Sequence, residues 1–114
     1  MKTLIKVMKA LSDPNRVKIV KLLQQKSMCV CELQALLGIA QPTVSNHLKI
    51  LEEAGLVDYA KDGLWVNYFL ADGNLNPYAA GLLRQLENWL DDDREVAELA
   101  KKAHLVSREE LCRR

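Results

Sequence analysis

The feature that most constrains this chain is a change of apolar period at Gly55. Ahead of it, apolar residues recur at helical spacing; after it, they alternate. Leu33, Leu36 and Leu37 form one helical pattern that stops at Gly38, and Val44, Leu48 and Leu51 begin the next after only Gly38-Ile39-Ala40. Two helices joined by so tight a glycine-containing turn form a helix-turn-helix. The runs 56–61 and 64–70 are rich in Val, Tyr, Trp and Phe and flank Asp62-Gly63, a dipeptide suited to a hairpin turn because both turn positions need positive φ.

The remaining segments fit around that pair. Leu4, Ile5, Met8 and Leu11 predict a first short helix. Asp13 caps a second, with Pro14 at its first position. Val17, Val20 and Leu23 give the second helix its apolar face, and Ser27 is the expected cap of the third. After Asp72-Gly73-Asn74, the helical period returns with Tyr78, Leu82, Leu86, Trp89 and Leu90. Asp91-Asp92-Asp93 interrupts it, and the tail from Glu95 to Arg114 is helix-like but weakly amphipathic. The order α-α-α-α-β-β-α describes a mainly α protein with a β-hairpin wing, a winged helix-turn-helix. The expected organisation is a single DNA-binding domain over 1–114, with dimerisation helices near 3–11 and 76–90 and a tail over 94–114.

Charge is distributed unevenly. Residues 1–51 hold eight Lys or Arg against two acids, whereas residues 52–114 hold eight against thirteen. A basic half suits a polyanion. No stretch offers the ~20 apolar residues that cross a bilayer, and Lys2, Lys6 and Lys9 interrupt the N-terminal apolar pattern, so no signal peptide is expected. The expectation is a cytoplasmic protein without a membrane segment. Neither His47 nor His104 has a nucleophile or carboxylate at motif spacing, and no glycine-rich phosphate loop is present, so no enzyme is expected.

The helix from Gln41 carries Gln41, Thr43, Ser45, Asn46, His47 and Lys49 away from its apolar side. A merely solvated face usually carries Glu, Lys and Arg instead. Asn and Gln pair two-pronged with adenine, and Ser and Thr bond base edges or phosphates. These residues are the expected contacts to double-stranded operator DNA, with Lys61 at the wing adding a phosphate or minor-groove contact.

Three cysteines in a reducing compartment point to ligands or reactive thiols before disulfides. Cys29 and Cys31 stand at a helix start, where unpaired N–H groups favour thiolates. Soft thiolates select As(III), Sb(III), Cd(II), Pb(II), Zn(II) or Cu(I). Residues two apart in a regular helix point about 200° from each other, so the pair can share an ion only where the turn is extended or distorts. Cys112 is a further candidate ligand.

Four segments together resemble the ArsR/SmtB family of metal- and metalloid-sensing winged-helix repressors. They are Ala10-Leu11-Ser12-Asp13-Pro14-Asn15-Arg16, Cys29-Val30-Cys31-Glu32-Leu33, Gln41-Pro42-Thr43-Val44-Ser45-Asn46-His47-Leu48 and Gly63-Leu64-Trp65-Val66-Asn67-Tyr68. The resemblance implies a homodimer through the first and last helices and a repressor released by an inducer. The cysteine pair resembles the inducer site of the arsenic-responsive members, which implies As(III) or Sb(III) as inducer and no required cofactor. Three positions depart from the family pattern: Ala40 replaces the usual Ser or Thr cap, Gln34 stands where a third cysteine is common, and Leu64 replaces a basic wing residue. Two alternatives stay open: a thiol redox or sulfide switch at Cys29 and Cys31, and a winged-helix protein-interaction module.

Overall fold

The structure, a computed structural model, describes residues 1–107. Its elements are α1 (Lys2–Ala10), α2 (Pro14–Leu23), α3 (Val30–Leu37), α4 (Gln41–Glu53), β1 (Val57–Asp62), β2 (Trp65–Leu70), α5 (Pro77–Leu86) and α6 (Arg94–Ala103). This is the expected winged helix-turn-helix with one helix more. The sixth comes from the tail: Asp93 caps it by accepting from Val96 N–H at 3.1 Å, and α6 packs on α2 and α3 with Val96 and Ala103 buried.

Local chemistry explains most boundaries. The Asp13 carboxylate accepts from Asn15 and Arg16 N–H at 2.8 and 3.2 Å, and Pro14 follows it at a position that needs no donor. Gly38 closes α3 in the left-handed region, φ 68°, its N–H donating to Gln34 O at 2.9 Å. The expected cap of α3 is corrected. Ser27 stays outside, and Cys29 occupies the N-cap with an extended backbone, φ −89° and ψ 171°.

The hairpin turn also differs in detail. Asp62 pairs with Trp65, so the two-residue loop is Gly63-Leu64, and only Gly63 has positive φ. Glycine at the first central position is what a II′-type loop needs. A second feature ties the wing inward: Met28 and Tyr68 exchange both backbone hydrogen bonds, at 2.8 and 3.0 Å. An isolated antiparallel bridge thus ties the segment entering α3 to β2.

Val7, Ile19, Val20, Leu22, Leu33, Val44, Leu48, Leu51 and Leu56 form one buried core between α1–α4 and the start of the wing. Burying a side chain of this size contributes ~1.5–3 kcal/mol, before the cost of ordering the chain. The α5–α6 corner is pinned by Lys21. Though buried, its ammonium donates to Leu86 O at 2.7 Å and to Asp91 at 2.9 Å. The first bond caps the C-terminus of α5, where a cation is favoured.

Candidate nucleic-acid interface and thiol site

Helix α4 divides sharply by burial. Val44, Leu48 and Leu51 are inaccessible, while Gln41, Thr43, Ser45, Asn46 and Lys49 are exposed. The exposed set is polar and contains no acid, and among the described residues none of its side chains is in an ion pair. Lys61 is exposed on β1 near the wing tip, where Leu64 is almost fully solvated.

His47 is the exception. Only 7% of it is exposed, and its ring contacts Arg16 and Asp13, so it does not join the other polar residues. Of the expected base contacts on α4, His47 alone is buried. A position three after Val44 and one before Leu48 lies on the border of the buried face, and the partners that draw it inward come from the start of α2. Arg16 is the residue that sequence reasoning passed over here. Its signal is its place three after the Asp13 cap, which turns its side chain back along α1.

The start of α4 lacks a side-chain cap. Ala40 supplies only its carbonyl, which accepts from Thr43 and Val44 N–H at 3.1 Å. Pro42 follows in the first turn, where a missing N–H costs nothing.

At the thiol site, Cys29 and Glu32 form a capping box. The Glu32 carboxylate accepts from Cys29 N–H at 3.0 Å, and the Cys29 sulfur faces the Glu32 N–H in return. Glu32 is itself buried and lies 3.6 Å from Lys26, whose ammonium also donates to Val106 O at 3.0 Å. Burial pushes the Cys29 thiol above its ordinary pKa, and the Glu32 charge adds to this. The N–H groups of Glu32 and Cys31 offset the rise only in part. For Cys29 the expected thiolate is therefore corrected: the helix end is present, but this thiol is buried there and shares it with a carboxylate.

Cys29 is a free thiol, 3% exposed. Cys31, by contrast, is disulfide-bonded, which corrects the expectation of thiols before disulfides at this position; it is half-buried and lines a surface groove with Gln34, Ala35, Gly38, Ile39 and Ala40. That groove runs from the first turn of α3 to the cap position of α4. The extended backbone at Cys29 takes its sulfur off the regular helical track, the condition under which two thiols spaced by one residue can converge. Among the described residues, no group of three or more His, Cys, Asp or Glu side chains is gathered for a metal ion. Cys112 lies outside the described residues.

Comparison with known proteins is consistent in direction. Residues 13–59 match the model of the bacterial regulatory protein, arsR family. The chain is 35% identical over 98 residues to the arsenical resistance operon repressor of Escherichia coli, covering 85% of this chain and 81% of that one. It is 34% identical over 105 residues to a Staphylococcus aureus homologue of the cadmium resistance regulatory protein CadC, covering 91% and 69%. Among solved structures, a homodimeric winged helix-turn-helix DNA-binding domain from Mycobacterium bovis aligns with TM-score 0.65 at 26% identity, covering 82% of each chain.

Proposed function

Because the chain belongs to the ArsR family of bacterial regulatory proteins, we propose that it is a dimeric repressor released from operator DNA when a thiophilic ion engages Cys29 and Cys31. Arsenite or antimonite is the inducer that this reading favours. The observation that carries it is the position of the Cys29 thiol. It caps the helix immediately before the reading helix and adjoins Met28, which is bridged to the wing strand.

DNA is engaged by Gln41, Thr43, Ser45, Asn46 and Lys49 in the major groove, with Lys61 on flanking phosphate or in the minor groove. Gln41, Ser45 and Asn46 supply base-edge donors and acceptors, whereas Thr43 and Lys49 fix register on the backbone. Dimerisation uses α1 and α5, which pack side by side. Ile5, Met8, Tyr78, Trp89 and Leu90 are all exposed in one protomer, an apolar area that a single small domain does not ordinarily leave to water. A two-fold dimer requires an operator with two related half-sites about one or two helical turns apart.

Release follows from the capping box. Drawing the Cys29 and Cys31 sulfurs together pulls Cys29 away from the Glu32 N–H and opens the Glu32–Cys29 bond. Both ends of the change are connected: backward through Met28 to Tyr68 and the wing, forward through α3 and the Gly38-Ile39-Ala40 turn to α4. The turn is too short to absorb a shift of α3, so the two reading helices lose the spacing that suits two major grooves. A third ligand comes from Cys112, an added thiol or water. No resident cofactor is invoked.

The test is binding of the purified protein, in reducing buffer, to the DNA immediately upstream of its own gene, with and without arsenite. Reducing conditions ensure that Cys31 is available. Tight, salt-sensitive binding that stoichiometric arsenite abolishes supports the proposal. Release by oxidant or polysulfide but not by arsenite transfers the switch to thiol redox chemistry, and no binding at all refutes the repressor reading.

A further inference from the structure

The polar face of α4 leaves His47 unexplained, and its surroundings form one connected set. The Arg16 guanidinium is the hub: Nη1 contacts His47 Nδ1 at 3.2 Å, Nε donates to Ala10 O at 2.6 Å and Nη2 donates to Lys9 O at 3.2 Å. A guanidinium has donors only, so Nδ1 must accept and the ring proton resides on Nε2. That nitrogen faces the Asp13 carboxylate at 4.0 Å. Asp13 is fixed in turn by the N–H groups of Asn15 and Arg16. The middle of the reading helix is thereby tied to the last carbonyls of α1 and to the cap of α2.

This tie differs in kind from the apolar packing around it. Val44 and Leu48 hold α4 against the core, but apolar contact is non-directional, so it constrains distance more than orientation. Hydrogen bonds lose strength steeply away from linearity. Arg16 and His47 therefore fix the angle of α4, and the element they fix it against is α1, which carries part of the exposed apolar face. Two reading helices in a dimer keep a set separation only if each is held at a set angle to the helices at the two-fold axis.

We propose that His47, held by Arg16 and Asp13, is a positioning residue that sets the half-site spacing the dimer accepts and does not read bases. The inference rests on the chain being a dimeric repressor. It is tested on three duplexes derived from the upstream operator: the native one, one with the half-sites moved apart by a base pair, and one with a base changed inside a half-site. The proteins are the parent, His47→Ala, His47→Gln and Arg16→Lys, each checked for folding by circular dichroism.

The parent should lose about tenfold or more on either altered duplex. His47→Ala should lose about tenfold on the native operator, keep the base-change penalty, and accept both spacings to within about threefold. His47→Gln, whose side-chain oxygen can accept from Arg16, should restore spacing discrimination. Arg16→Lys keeps the charge but not the fork, so it should behave as His47→Ala does and serves in its place should that variant fail to fold. Loss of the base-change penalty with spacing discrimination intact would make His47 a base reader and overturn the proposal. Parent-like behaviour of both His47→Ala and Arg16→Lys would also overturn it, with the repressor reading untouched. A parent that binds none of the duplexes removes that reading and this inference together.

Discussion

At the scale of single residues, chemistry and burial disagree in instructive ways. Asn46 and His47 are adjacent polar residues on one helix, yet only Asn46 is exposed. Sequence pattern sees residue type and period, and a buried polar group is invisible to both until its partners from another element are known. Asn46→Ala should therefore weaken operator binding by ~1–3 kcal/mol and relax base preference, while Lys49→Ala should mainly flatten the salt dependence. Fluorescence anisotropy at several salt concentrations distinguishes the two effects. For the cysteines, helix position was legible and the state of the thiol was not, because desolvation depends on packing. Cys29→Ser and Cys31→Ser should each retain operator binding and lose release by arsenite. Unchanged release in either variant would exclude the pair as the inducer site. Burial sets the pH dependence as well, since the folded pKa of Cys29 is raised. Its contribution to stability is fully present below the unfolded thiol value, ~8.5, and declines as pH rises through the folded value. The margin of the parent over Cys29→Ser in urea unfolding should therefore narrow between neutral and strongly alkaline pH.

At the scale of elements, the boundaries set by local chemistry were readable, and those set by tertiary contact were not. Asp13-Pro14, Gly38 and the hairpin around Gly63 act through their own backbone preferences, and each stands where the sequence placed it to within a residue. The cap of α3 moved from Ser27 to Cys29 because Met28 pairs with Tyr68, forty residues on, which holds the entering chain extended. The tail was legible as helix-like, but its reading as weakly amphipathic is corrected: α6 segregates a buried side with Val96 and Ala103 from a charged one. Its place is set by Asp93, by the packing of Val96 and Ala103, and by an ion pair between Lys18 and Glu95 at 2.9 Å. The bare cap of α4 gives a direct test of local chemistry. Ala40 already has the extended backbone of an N-cap, φ −66° and ψ 147°, so Ala40→Ser needs no rearrangement. It should add ~1 kcal/mol of stability, visible as a rise of about 4–8 °C in Tm. A melting temperature unchanged by this substitution would show that the start of α4 is already fully satisfied.

At the scale of the whole molecule, the described protomer is complete in its core and incomplete in its surface. Val7 and Ala10 of α1 are buried against the rest of the protomer, while Ile5 (43%) and Met8 (53%) stay exposed. The same helix thus serves the core with one side and leaves the other open to water, the side on which the proposed dimer relies. A charge on that outer side should separate folding from assembly. Met8→Glu places a carboxylate where the isolated protomer is open to water, so the fold should survive with its circular dichroism spectrum and cooperative melt intact. In the dimer the same carboxylate would be buried without a partner, at a cost of several kcal/mol per charge. Two copies carry two such charges near one axis, so dissociation at micromolar concentration is expected. DNA binding should then fall much further than the loss of any base contact would bring it, because each monomer engages a single half-site. Sedimentation equilibrium and operator titration on the same sample decide the matter. A variant that remains dimeric would place the two-fold axis elsewhere than on α1, whereas a monomeric variant with undiminished operator affinity would show that one protomer suffices for DNA.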